Sequence, residues 1–320
     1  MVTPGRRTWP PVIVRSKMVL EMTSELVTQR EWKDEQARIT LRPQGPGDWN
    51  VTIFGSDSAD SIPEVVSGAV QMAIVNPGGV LALAANGKGP FKEKAPVRAI
   101  SIIGSYDQLA LGVHERTGIT SMEDLRDKKY PLKISVRGQA DHTIHLVIEE
   151  VFKAYGFTGD DLRSWGGDLV YQDGLPAPHR VQSVADGEVD ALFDEAANQW
   201  VNKGIEIGMR ILPIGEPELQ KLEGDGFRRG TLQQRLFPGL PADVETLDYS
   251  GFILYTREDT PDEMVRAFCA AIEARKDVIP QDQGEGPLPL DRMCQDTPEG
   301  PMYIPLHRAA EGYWKEQGYL

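Results

Sequence analysis

The sequence has 320 residues, 40% of them hydrophobic and 26% charged, proportions of a globular protein with room for two ordinary domains. Its 34 basic and 48 acidic residues leave a formal net charge of −14. An acidity of this size works against nucleic acid or an anionic membrane as partners, and an anionic ligand would need a locally positive site.

Arg6-Arg7 is followed by no apolar run, because Pro10, Pro11, Arg15 and Lys17 interrupt it, so the start does not read as a secretory signal. The expected location is periplasmic if a leader was removed or missed, and cytoplasmic otherwise. No stretch is long and apolar enough to suggest membrane insertion. Val12–Arg15 reads as a short strand, and Lys17–Arg30 as a helix with Val19, Met22 and Leu26 on one face. Arg38–Arg42 and Asn50–Phe54 alternate like strands around a Pro/Gly loop. A helix over Ser61–Ser67 stops at Gly68, a strand over Met72–Val75 is closed by Asn76-Pro77-Gly78-Gly79, and Val97–Ile103 reads as a buried strand.

Leu109–His114 is the next expected strand, and Ser121-Met122-Glu123-Asp124 opens a short helix. The clearest pattern is Leu132–Tyr155. A short apolar strand turns at Gly138 into a helix carrying Ile144, Val147, Ile148, Val151, Phe152 and Tyr155 on one face, with Gly156 placed to end it. Strands are expected at Leu169–Tyr171, Val189–Phe193, Arg210–Ile214 and Ser250–Thr256, and a helix at Arg180–Asp186. Residues 215–247 have no readable periodicity. Thr260-Pro261-Asp262-Glu263 starts a helix to about Val278, with Thr260 as its cap; a Pro/Gly/acid-rich loop and a closing helix near His307–Gln317 follow. Cys269 lies on the stripe Met264, Val265, Phe268, Ile272 and reads as a small buried hydrophobe; neither cysteine has a zinc-like spacing to histidine.

Alternating strands and helices predict an α/β protein of two Rossmann-like lobes with a ligand cleft between them. The expected lobes are 1–115 with 216–320, and 116–215. The joint at Leu132–Tyr155 is the candidate anion cradle: a helix N-terminus offers free N–H groups and partial positive charge. Arg137 adds a planar fork of donors at the strand end. Gln139, His142 and Thr143 join it from the same turn. Asp141 reads as the helix cap, and His145 shares the polar face of Glu149 and Lys153. Glu195, after the strand Val189–Phe193, is placed to receive an ammonium or hydroxyl. On the first lobe, Ser56 and Asp57 follow one strand and Asn76 another, with Tyr106 just after Val97–Ile103. His142 and His145 have no third ligand at suitable spacing, so no metal is expected, and no cofactor motif is present.

The run VQMAIVNPGG, the strand–Gly–helix at 132–157, VADGEVDALFDEA at 184–196 and IPLHRAAEGYWKEQGYL at 304–320 together resemble the TAXI family of TRAP-transporter solute-binding proteins. Ala185, Gly187, Val189, Asp190, Ala191 and Phe193 match its middle motif; His307, Ala310, Tyr313 and Gly318 echo its closing one. The resemblance implies a type II periplasmic-binding-protein fold and capture of a small anionic organic solute, a carboxylate or amino acid, for membrane transporter subunits. Arg137-Gly138-Gln139-Ala140-Asp141-His142 stands where the family carries small residues. The competing reading is an enzyme on the same fold, a decarboxylase or lyase with His142 and Glu195 as acid/base groups. A third is a cytoplasmic ligand sensor.

Overall fold

The computed structural model describes residues 11–28, 36–42, 50–56, 58–174, 178–276, 279, 293–298 and 300–320. Two five-stranded sheets organise the chain. The first contains β1 (Ala37–Leu41), β2 (Val51–Gly55), β3 (Met72–Val75), β4 (Val97–Ile103) and a late strand from residues 252–257. The second contains β5 (Ala110–His114), β6 (Lys133–Arg137), β7 (Asp168–Gln172), β8 (Ala191–Asp194) and β9 (Met209–Leu212). A hairpin, β10 (Arg229–Leu232) with β11 (Val244–Leu247), precedes β12 (Phe252–Arg257).

The sheet orders are β1-β2-β3-β12-β4 and β7-β6-β8-β5-β9. In each, the strand arriving from the other sheet sits fourth and runs antiparallel to both neighbours: β12 between β3 and β4, β5 between β8 and β9. The remaining inner pairs, β2–β3, β6–β7 and β6–β8, are parallel. Parallel pairs need helical crossovers, and the sequence supplies them. In the first sheet, α2 (Ser61–Ser67) and α3 (Gly78–Asn86) follow α1 (Pro11–Thr28). The second sheet carries α4 (Met122–Lys128), α5 (Thr143–Ala154), α6 (Gly159–Ser164), α7 (His179–Ala185) and α8 (Ala197–Glu206). Thus the protein has the expected α/β architecture, two mixed five-stranded sheets each with its own helices. Strand β5 pairs in the second sheet, so that sheet begins at Ala110, before the crossing expected near 115.

The stripe of α5 is buried as its spacing requires: Ile144, Val147, Ile148, Val151, Phe152 and Tyr155 are each at most 2% exposed. They belong to a continuous core that also holds Val75, Val136 and Phe193 from both sheets, Val80 from α3 and Tyr249 from the segment before β12. A second core lies between the first sheet and two C-terminal helices. After α9 (Glu216–Asp225) come α10 (Asp262–Arg275) and α11 (Arg308–Glu316). Trp314 on α11 is fully buried and donates through Nε1 to Ile100 O at 2.9 Å. Burying an indole of ~150–250 Å² removes roughly 4–6 kcal/mol of hydration cost. A third core joins α7 and α8 to the β10–β11 hairpin through Val184, Trp200, Leu232 and Phe237.

Several expectations are corrected. Val12–Arg15 is the beginning of α1, not a strand. Apolar Val14, Met18, Val19, Met22 and Leu26 of that helix are exposed, so the spacing that reads as a core face is unburied. Asp141 does not cap α5; His142 does, accepting from Ile144 N at 3.1 Å. Thr260 does not cap α10; its hydroxyl bonds Thr256 Oγ1 at 2.7 Å. His145 is half-buried rather than on a free polar face, with Nε2 on Gln139 O at 2.9 Å. Residues 215–247, unreadable as sequence, form α9 and the hairpin. Cys269, by contrast, is buried and free as its stripe predicts, and Cys294 is buried and free as well.

Candidate functional site

The chain passes between the sheets at residues 104–109, after β4, and 248–251, before β12. The two segments run together. Tyr249 N and Ser250 Oγ donate to Asp107 O at 3.0 and 2.9 Å, and Leu109 N donates to Leu247 O at 3.0 Å. Gln108 Nε2 donates to Asp248 Oδ1 at 2.8 Å. This is the joint on which the two sheets meet, and the candidate site lies beside it.

From the first sheet comes the end of β3. Asn76 Nδ2 donates to Tyr249 O and Gly251 O at 2.9 and 2.8 Å, and the Asn76–Pro77 peptide is cis. Fixed this way, Asn76 O accepts from Thr143 Oγ1, the first residue of α5, at 2.8 Å. Thr143 Oγ1 also lies 3.2 Å from the Tyr249 hydroxyl. Ser58 and His142 form an antiparallel bridge, so the loop after β2 touches the turn before α5. Ser56 Oγ accepts from Ser58 N at 3.2 Å.

From the second sheet come β6 and β8, adjacent parallel strands whose carboxyl ends carry charge. Arg137 donates through Nη2 to Asp194 Oδ1 at 3.0 Å and through Nε to Asp194 Oδ2 at 3.3 Å. The same Nη2 donates to Glu195 Oε1. Asp194 is fully buried and also accepts from Arg180 Nη1; Arg180 Nε donates to Ser135 Oγ at 2.9 Å. Asp107, from the joint, accepts from Gln108 N at 2.7 Å and from Ala196 N and Ala197 N at 3.1 and 3.3 Å. It thereby satisfies the first N–H groups of α8. A chain of polar contacts therefore runs Glu195, Arg137, Asp194, Arg180, with Asp107 on the backbone N–H groups just after Glu195.

Burial decides the charge states. It raises Asp107 to about 6, against hydrogen bonds from Glu195, Gln108, Ala196 and Ala197 that pull it down. Glu195 is raised well above the ordinary carboxylate range by burial and by the charges of Asp107 and Asp194, with Arg137 opposing. Burial works to lower Arg137, but Asp194 and Glu195 outweigh it and hold the guanidinium firmly charged. Arg180 is lowered, burial outweighing Asp194; its Nη2 has no hydrogen-bond partner among the described residues. His142 is lowered to about 3 by burial and by Arg137. Its Nδ1 accepts from Ile144 N, so the neutral ring carries its proton on Nε2.

The structure brings together Asn76 with Thr143, Arg137 with Glu195, and Ser56 with His142 by way of Ser58. Tyr106 stands apart: its hydroxyl donates to Thr231 O of the hairpin at 2.6 Å. Gln139 contributes its backbone oxygen, which accepts from His142 N at 3.2 Å and bonds His145 Nε2. Asp57 lies outside the described residues. Gly138 is required by close approach: a Cβ there would sit 2.6 Å from Asp173 Oδ1 and 2.9 Å from Asp173 N. Sequence reasoning missed Asp107, Arg180 and Tyr249; each reads as an ordinary turn, helix or strand-end residue until the fold assembles the cluster. Among the described residues no group of His, Cys, Asp and Glu could hold a metal ion, and no helix is long and apolar enough to cross a membrane. A surface groove lined by Cys294, Asp296, Tyr303, Leu306 and Leu320 contains none of the cluster residues.

Among solved structures, a protein of Bordetella bronchiseptica RB50 is similar at 17% identity, with 68% of this chain and 58% of that chain covered and a TM-score of 0.38. The chain therefore spans less than two thirds of that protein. A TctC solute-binding protein from Polaromonas is 16% identical over 68% of both chains, with a TM-score of 0.37. A glycine/betaine/L-proline-binding protein, ProX, from Borrelia burgdorferi is 12% identical over 66% of both chains, with a TM-score of 0.38. The sequence itself is more decisive: residues 48–318 match the model of the NMT1-like family, and the chain belongs to that family.

Proposed function

We propose that this protein is a solute-binding protein that holds a small organic anion, a carboxylate or amino acid, between its two lobes and presents it to a TRAP-type membrane transporter in the periplasm. The observation that carries the reading is the engagement of Arg137. Its guanidinium stands at the carboxyl end of β6 beside the first turn of α5, and the carboxyl of Glu195, 12% exposed, sits on it. A solute carboxylate offers the same two oxygens to the same fork. Entering there, it takes the place of Glu195 on Arg137 and lies near the N-terminal N–H groups of α5.

The contacts across the joint supply the coupling. Thr143 to Asn76 and the Ser58–His142 bridge hold the lobes together, so a solute touching both sides favours the closed arrangement by whatever extra contact it makes there. Ser56 and Asn76 from one side, with Arg137, Gln139, His142, Thr143 and Glu195 from the other, are the residues we assign to the site, and Tyr106, bonded to the hairpin, is left out of it; the TAXI-like sequence motifs support the transporter class. Native mass spectrometry of the purified full chain tests the reading. A co-purifying small acid, lost from Arg137→Met, is the expected result. Retention of the same compound by that variant would remove Arg137 from the site.

A further inference from the structure

The turn that carries Glu195 is held from a distance. Strand β8 ends at Asp194 and α8 begins at Ala197, so the two residues between them set where the Glu195 side chain points. Ala196 takes the left-handed conformation, with φ 57°, which a residue with a Cβ adopts only where its surroundings impose it. Its methyl group offers no acceptor to the first amides of α8. Asp107 supplies one for each: Oδ2 accepts from Ala196 N at 3.1 Å and Oδ1 from Ala197 N at 3.3 Å. The two oxygens of one carboxyl group therefore grip two consecutive N–H groups.

Asp107 is itself fixed at the joint. Its N–H donates to Ser250 Oγ at 3.0 Å, and its carbonyl accepts from Tyr249 N at 3.0 Å and from Ser250 Oγ at 2.9 Å. The grip thus refers the Glu195 turn to the crossing segments and not to β8 alone. Within the turn, Glu195 N donates to Asp194 Oδ1 at 2.9 Å and Glu195 O accepts from Trp200 Nε1 at 3.1 Å, while the carboxyl accepts from Arg137. Both side chains of that pair are 12% exposed, so Glu195 covers the guanidinium that a solute would have to reach.

We propose that Asp107 is a positioning residue of the site: by gripping Ala196 and Ala197 it holds the left-handed turn that aims the Glu195 carboxyl at Arg137, where that carboxyl stands in for a solute until one arrives. The stand-in role rests on the solute-binding reading above; the positioning of Glu195 does not. Without the grip, Ala196 relaxes to the regions an alanine prefers, the preceding side chain changes direction, and Arg137 loses its cover. An ordinary helix cap would leave Arg137 as it was, since α8 is also fixed through buried Trp200 and Val201 in the third core.

Reaction of the ligand-stripped full chain with phenylglyoxal, mapped by peptide mass spectrometry, reads that cover directly. Glu195→Ala, which removes it, and Asp107→Ala should each speed modification of Arg137 by about fivefold relative to exposed Arg308 in the same molecule, the factor by which a weak ion pair biases its own population. Arg180, fully buried, should stay unreactive in both, which separates a released turn from a loosened fold. The two substitutions together should be no faster than Glu195→Ala alone, because Asp107 acts through Glu195. Should the Asp107→Ala chain fail to fold, Asp107→Asn, which retains one acceptor oxygen, should give a smaller acceleration. An unchanged rate at Arg137, additive rates in the double variant or an equal gain at Arg180 overturns the proposal whatever the protein binds. Calorimetric titration with succinate reads the second part. Affinity should rise by about fivefold in Asp107→Ala, because the stand-in no longer competes; equal or lower affinity, the result of a merely structural role, overturns the stand-in. Succinate heat from none of these proteins, with Arg137 released as above, leaves the positioning role standing and counts against the solute reading itself.

Discussion

Replacing Arg137 by Met tests the charged cluster as a structural unit. Arg137 is 12% exposed at its side chain and faces Asp194, which is fully buried. Removing one partner of a buried pair typically costs ~3–5 kcal/mol because the other charge is left unsolvated. Here Arg180 still holds Asp194, and Glu195 is free to stay protonated, so the loss belongs at the low end, about 3 kcal/mol. Urea unfolding at pH 7, followed by both tryptophan fluorescence and circular dichroism, should show the midpoint falling by roughly 1 M with little change in slope. In a Glu195→Gln background the cost should be smaller by about 1 kcal/mol, because the carboxyl group that Arg137 engages there is already replaced. A loss below about 1 kcal/mol, the size expected of a solvent-exposed pair, would refute the reasoning, as would strict additivity with Glu195→Gln.

Gly138→Ala should cost about 1–3 kcal/mol in a thermal or urea melt, since the new Cβ meets the backbone of Gln172 and Asp173 at 2.9 Å; Gly224→Ala on α9, where a Cβ meets nothing within 4 Å, is the neutral control. Thr143→Val should lose about 1 kcal/mol and speed amide exchange at the start of α5, because its hydroxyl is the link to Asn76 O; unchanged exchange would show that this contact does not hold the joint. His142 has its folded value depressed to about 3 from 6.5. Its contribution is therefore complete above pH 6.5 and is lost as pH falls toward 3, by at most about 1.4 kcal/mol per unit. His142→Asn, which keeps a capping group, should melt with a shallower dependence on pH between 6.5 and 4; parallel curves for variant and wild type would contradict it.

How much of this was legible beforehand depends on the range of the forces involved. The stripe Ile144 to Tyr155 is local and repeats every three or four residues, so α5 and its buried face follow directly from the spacing. The strands Met72–Val75 and Val97–Ile103 were bounded by their own apolar runs. Val12–Arg15 misled because three branched residues favour a strand, whereas the longer segment around them is helical. The capping error at Asp141 has a similar origin: preference favours Asp, but the turn places His142 one residue closer to the helix. Residues 215–247 gave no period because α9 is short and acidic and the hairpin strands have four residues each.

The candidate site was half legible. The strand-end position of Arg137 and the N-terminus of α5 are local features. What Arg137 touches is not: Asp194 and Glu195 lie 57 and 58 residues away in sequence, and Asp107 reaches the helix end at 196–197 from 89 and 90 residues away. Only the order β6-β8-β5, with β5 antiparallel, places the carboxyl ends of β6 and β8 beside the amino end of β5. Arg180, read as one residue of an ordinary helix, proves to be fully buried against Asp194.

Calorimetric titration of the ligand-stripped full chain with a panel of small carboxylates and amino acids, in wild type and in Arg137→Met, tests the central claim most directly. The account predicts that at least one acid binds the wild type and that the variant weakens it by about 2–3 kcal/mol, the value of a charge-assisted bond to a carboxylate. Equal affinity of both proteins for the acid that binds would contradict it.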